Sequence, residues 1–253
     1  MKRYQKMHST SSWWFDVMLM LLTCVAASTD VISYFRLGNV FTANMTGNAI
    51  LLGLSIGKGE LSTSLMRLSS LLGFIIGVFA GAIIVINKKK EWPYNVKLVI
   101  AIESVIIGAL AVIWLFHSIP LKNGILYIAI LLSAISMGMQ SAAVWHLGIP
   151  GIVTTFLTGN ITSIGLNTVN GWKFGFKKRI KNEIPDNPPV PKNLEDRVEL
   201  QAMVFFIYII SAIFTGWVQF HEPEFLPLLP LFLILCVMAI LIKYTKNQSG
   251  ILN

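Results

Sequence analysis

"FTANMTGNAILLGL", residues Phe41 to Leu54, contains no charge yet sets Thr42, Asn44, Thr46 and Asn48 among apolar neighbours. A second stretch, "VTTFLTGNITSIGL" from Val153 to Leu166, repeats it. Aligning Thr46-Gly47-Asn48 with Thr158-Gly159-Asn160 also superposes Thr42 on Thr154, Gly53 on Gly165 and Leu54 on Leu166 without a gap. After a two-residue slip the match extends upstream, with Leu37-Gly38 on Leu147-Gly148, Arg36 on His146 and Asp30 on Gln140. A duplication of this length bears on the whole architecture and is read before any local motif.

The two copies are surrounded by membrane-type sequence. Of the 253 residues 55% are hydrophobic and 13% charged, against about 45–50% and about 25% in soluble domains. Six apolar runs lie near Trp14–Ser33, Ser69–Ile86, Leu98–Phe116, Ile125–Val144, Ala202–Phe220 and Leu226–Ile242. A helix of about 20 residues crosses a bilayer core of about 30 Å, so the chain reads as one all-α polytopic membrane domain over 1–253. Its first repeat covers 14–117 and its second 123–243. The start "MKRYQK" followed by "VMLMLLTCVAAS" has the outline of a signal peptide. Its span has a counterpart in the second half, however, so it is expected to be retained. Cys24 and Cys236 both sit inside apolar runs, where a thiol behaves as a small hydrophobe.

Whether the repeated polar segment dips into the membrane or crosses it decides the topology. If it dips, the chain has six spans and two re-entrant segments arranged as an inverted 3+3 repeat; if it crosses, eight spans form a parallel 4+4 repeat. Positive residues favour the cytoplasmic side. The re-entrant arrangement leaves only Arg36, Lys58, Arg67 and Lys122 outside and keeps the triplet Lys88-Lys89-Lys90 inside. The crossing arrangement moves that triplet out, and the re-entrant one is preferred. Both put the two termini in the cytoplasm of a cell membrane. The net charge of +8 follows this loop pattern and implies the bilayer rather than nucleic acid as partner. A cytoplasmic basic and proline-rich loop over 171–199 mixes Trp172, Phe174 and Phe176 with lysines and suits an anionic lipid surface.

A backbone break at membrane depth is tolerated only where protein or a cavity covers it. Two such breaks meeting near the midplane would make a shared polar site. Thr42, Asn44, Thr46, Gly47, Asn48, Thr154, Thr158, Gly159, Asn160 and Gln140 are its candidate solute-binding residues. With Thr46 and Thr158 as N-caps, two helix N-termini would favour a neutral or anionic solute. The competing reading takes Thr, Gly and Asn as ordinary contacts between membrane helices. Asp30, an acid inside the first span, is the candidate proton-coupling group; the plainer alternative pairs it with Arg36. Glu103, near its span's start, reads as an acid that snorkels to the surface, with a part in transport chemistry as the alternative. Gly73, Gly77 and Gly81 form a smooth face for helix packing, and that face is also a candidate for homo-oligomer contact. No metal spacing, cofactor fingerprint or enzyme motif is present in the sequence.

The run "STDVISYFRLGNVFTANMTGN", with Asp30, Leu37-Gly38 and Asn44-Met45-Thr46-Gly47-Asn48, resembles the YoaK-like family of uncharacterised bacterial multi-pass membrane proteins. "MGMQSAAVWHLG" and the second "TGN" resemble its second-half signature. The resemblance implies a bacterial membrane location. The residues themselves point to a channel or secondary transporter for a small polar solute, with a non-transporting scaffold or sensor as the alternative.

Overall fold

The computed structural model of the chain describes residues 12–86, 94–116, 121, 123–147, 158–166, 168–169 and 192–251. All regular structure among them is helical: α1 (Ser12–Arg36), α2 (Met45–Gly57), α3 (Leu61–Ile86), α4 (Tyr94–Phe116), α5 (Asn123–His146), α6 (158–166), α7 (Lys192–His221) and α8 (Leu228–Ile251). Six of them, α1, α3, α4, α5, α7 and α8, are long and apolar enough to cross a membrane. α2 has 13 residues and reaches only about 20 Å at 1.5 Å per residue.

The helices run past the apolar runs that announce them. α3 begins eight residues before Ser69, because its polar first turns are paired rather than solvated. Ser64 bonds to Ser55 of α2 at 2.9 Å and Arg67 donates to the Leu51 carbonyl at 2.6 Å. α7 likewise begins at Lys192, so residues 192–199 are helical rather than part of the loop expected over 171–199.

α1 is the most enclosed of the six long helices and α7 the least. α1 packs against α7 and α8, while α5 packs against α3 and α4; α4 also meets α8, and α1 touches α5. The tightest pair is α3 with α5. A Cβ on Gly73 would come within 2.9 Å of the Leu131 carbonyl, one on Gly77 would run into the Ile135 carbonyl, and one on Gly138 into that of Phe74. The glycine face is therefore used up inside the chain, and the homo-oligomer contact expected through Gly73, Gly77 and Gly81 has no free surface there. Close backbone approach replaces the hydrophobic drive that lipid cannot supply between helices.

Two apolar cores lie at opposite ends of the bundle. One gathers Met18, Leu22, Val85, Val99, Ile100, Val144 and Leu241. The other gathers Ile32, Leu37, Leu110, Trp114, Leu126, Val218 and Leu226, with Met66 packed on it. The start of α3 thus sits at the same end as the close of α1. Between the cores runs a belt of buried polar residues, including Ser28, Asp30, Ser33, Thr42, Ser133 and Gln140. Phe79, Ile83, Val105, Ile213 and Phe232 project outward, as lipid-facing side chains do.

Candidate functional site

The chain reverses direction after α1 through two residues with positive φ, Gly38 at 77° and Asn39 at 57°. Glycine and asparagine tolerate this left-handed geometry best. The reversal carries residues 40–44 back into the bundle, where Asp30 holds them. One carboxyl oxygen, Oδ1, accepts the backbone N–H groups of Thr42 at 2.8 Å, Ala43 at 2.7 Å and Asn44 at 3.3 Å. The other, Oδ2, accepts the Tyr208 hydroxyl at 3.0 Å. Backbone amides that would otherwise be orphaned at membrane depth are satisfied by one side chain. Arg36 goes elsewhere, to Gln219 Oε1 at 3.2 Å and the Pro223 carbonyl, so the expected Asp30–Arg36 pair does not form.

Asn48 completes the fixing of the loop. Its Oδ1 accepts the Phe41 N–H at 2.9 Å, while its Nδ2 donates to the Phe41 carbonyl and to Ser70 Oγ at 3.0 Å. Thr42 is buried too, its hydroxyl bonded to Ser33 at 3.0 Å and to Ser133 at 3.1 Å. The N-cap of α2 is Asn44, whose side chain accepts the Gly47 N–H at 3.1 Å. The cap expected at Thr46 therefore lies two residues earlier, and Thr46 sits in the first turn. A Cβ on Gly47 would stand 3.0 Å from the Phe41 ring, so the ring would have to give by a few tenths of an ångström to admit a larger residue.

Beside this loop is a cavity of about 500 Å³. Ala43, Asn44, Met45 and Thr46 make one wall, Phe74, Val78, Ala82 and Ile86 of α3 a second, and Ser141, Trp145 and His146 of α5 a third. Most of that lining is hydrocarbon, with Asn44, Thr46, Ser141 and His146 as its polar points. A largely apolar pocket with a few polar groups is the usual form of a small-molecule site. The N-terminus of α2 adds the positive end of a helix dipole to the first of these walls.

The other candidates are placed as follows. Gln140 donates to the Leu22 carbonyl at 3.0 Å, deep between α5 and α1. In the second motif Thr158 is exposed, Gly159 is half-buried and Asn160 is 1% exposed, matching Asn48 at 0%. Ser163 of α6 accepts from Gln201 Nε2 at 2.8 Å. Thr154 lies outside the described residues, as do Lys88, Lys89 and Lys90.

The first motif thus divides in two. Asp30, Thr42 and Asn48 bind the protein to itself, while Asn44 and Thr46 face the cavity. Tyr208, Ser70 and the cavity residues Ser141 and Trp145 are not among the site residues expected from the sequence. A lone phenol within "FFIYIISAIF" was the one available clue to Tyr208. Among the described residues no group of three or more His, Cys, Asp and Glu could hold a metal ion.

Comparison with known proteins agrees in extent with these observations. A family profile described as "Protein of unknown function (DUF1275)" matches residues 18–241. "UPF0700 transmembrane protein YoaK" of Bacillus subtilis (strain 168) is 35% identical over 243 residues, which cover 95% of this chain and 99% of that protein. No solved structure matches. A profile and a relative that each span nearly the whole length, over six helices of membrane-crossing length, make this chain a multi-pass membrane protein of the DUF1275 family.

Proposed function

We propose that the protein is a channel or secondary transporter for a small polar solute, neutral or anionic, in a bacterial cell membrane. The carrying observation is the cavity of about 500 Å³ that ends at Asn44 and Thr46, at the N-terminus of a helix begun inside the bundle. A capped helix start at this depth needs a fixed loop to support it, and Asp30 and Asn48 supply one. Asp30 acts here as the anchor of the site.

The proposed architecture is six spans with two re-entrant segments in an inverted 3+3 repeat. Four observations support it. α2 is too short to cross. The start of α3 shares an apolar core with the close of α1, whereas a crossing α2 would separate them by the membrane. Exchanging the two halves, α1 with α5, α3 with α7 and α4 with α8, maps the packing of α1 on α7 and α8 onto that of α5 on α3 and α4. The bonds from Arg67 to Leu51 and from Gln201 to Ser163 also correspond, since Leu51 and Ser163 align when Asn48 is set on Asn160.

Both termini face the cytoplasm in this reading, and the cavity opens toward that side, between the ends of α3 and α5. Lys58→Cys should label from outside intact cells and Lys243→Cys should not; a crossing α2 would protect position 58. Function is tested by uptake of a solute panel into proteoliposomes. Ala82→Trp, which fills the cavity, should lower uptake of a transported solute by at least about tenfold, equal to about 1.4 kcal/mol. Uptake unchanged by Ala82→Trp, or no movement of any solute, would remove the proposal in favour of a non-transporting role.

A further inference from the structure

Glu103 stands apart from every other acid in the bundle. It is fully buried on α4, and neither carboxyl oxygen has a hydrogen-bond partner among the described residues. It is nine residues from the start of α4, about 14 Å along an α-helix, and so near the middle of the membrane. The snorkelling expected from the sequence fails because α4 starts at Tyr94 and turns Glu103 inward. Val99, Ile100 and Ile107 of the same stripe belong to the core shared with Met137 of α5 and with Ile234 and Val237 of α8.

α4 packs against α3, α5 and α8. The titratable side chains described on these four helices are Arg67, Tyr127, His146, Cys236, Lys243, Tyr244, Tyr94 and Lys97. None of them reaches a Glu103 oxygen. Arg67 is bonded to the Leu51 carbonyl, and Lys243 lies over the Trp14 ring at 5.1 Å. An ionised carboxylate with no partner would cost far more to bury than the neutral acid. Packing gives no reason for a carboxyl here, since leucine or glutamine would fill the same space without an acid. Asp30, by contrast, has its oxygens bonded to four donors and is committed to the loop.

We propose that Glu103 is a membrane-embedded proton-binding site that exchanges its proton with bulk water when the helices around α4 part. Its use in coupling rests on the transport reading above, but the site itself does not.

The test uses dicyclohexylcarbodiimide on the whole protein in phosphatidylethanolamine–phosphatidylglycerol liposomes, with peptide mapping by mass spectrometry. This apolar reagent consumes the acid form. The carboxyl oxygen bonds to the carbodiimide carbon, the acid proton passes to a nitrogen, and an oxygen-to-nitrogen acyl shift leaves a stable N-acylurea. The adduct should form on Glu103, decline as the pH is raised and the acid form is lost, persist in Glu103→Asp and be absent in Glu103→Gln. No adduct on Glu103, or a yield that does not change with pH, would overturn the proposal, and the wild-type profile alone decides this if a variant fails to fold. In the uptake assay Glu103→Gln should keep solute exchange at equal pH and lose stimulation by a pH gradient; full stimulation would overturn the coupling role. A pH-dependent adduct without uptake in any form would keep the proton site and remove the transporter. Uptake without an adduct would do the reverse.

Discussion

The seam between α3 and α5 and the seam between α1 and α7, which the proposed repeat would pair with each other, are held by different chemistry. α3 meets α5 through glycines that set backbone against backbone. α1 meets α7 through side-chain hydrogen bonds: Ser28 to Ser211 at 3.3 Å, Thr215 to Ser28 at 3.0 Å, Ser211 to the Cys24 carbonyl at 3.2 Å, and Tyr208 to Asp30. The first seam is specific because nothing larger than hydrogen fits. The second is specific because donors meet acceptors, and each of its bonds is individually weak. Two helix pairs of one bundle can therefore be stabilised by dispersion in one and by polar contacts in the other.

The sharpest way to break this contrast is steric. Gly77→Ala or Gly138→Ala should cost about 3 kcal/mol, at the top of the usual range for overpacking, because backbone rather than a flexible side chain stands in the way. Thermal unfolding in detergent would show it, with Gly53→Ala, which meets nothing within 4 Å, as the unaffected control. A cost no larger than that of the control would mean that the seam is not close-packed. Next in size is the anchor. Asp30→Ala leaves the amides of Thr42, Ala43 and Asn44 without their acceptor and should cost about 2 kcal/mol. It should also expose a cysteine placed at Thr42 to thiol reagents that do not reach it when Asp30 is present. Smallest of all, Thr215→Val in the polar seam should cost about 0.6 kcal/mol, the average for such bonds in membrane bundles. A cost above that of Gly77→Ala would invert the comparison.

Much of the fold was legible because hydrophobic length at membrane scale is a strong criterion, and all six spans follow from it. Their ends were less legible, because hydropathy counts Ser64, Arg67 and Ser70 as polar without knowing that α2 and the loop receive them. The site was half legible. The pattern around Asp30 and Thr-Gly-Asn marked the place, since an acid and a broken helix are both costly in hydrocarbon. The roles within it depend on where the chain goes after Arg36. Asp30 bonds residues 12 to 14 positions later rather than its charged neighbour, and the turn at Gly38–Asn39 that makes this possible is a matter of dihedral angles. Asn44 and Thr46 are equally plausible caps by composition, and only the placement of Gly47 separates them. The choice between the two readings of Glu103 was not legible, because its burial depends on the rotation of α4 and on a helix start four residues before the apolar run.

Asp30 also dates the assembly of the protein. Its three amide partners leave the ribosome within 14 residues of it, but Tyr208 follows 178 residues later and Ser211 comes 183 residues after Ser28. Because synthesis proceeds from the N-terminus at about 5–20 residues per second, the loop can close on α1 early, while the serines and threonines that will face α7 wait several seconds or more for it. During that interval the first helix is held in the membrane with the polar side chains that will meet α7 still unmatched.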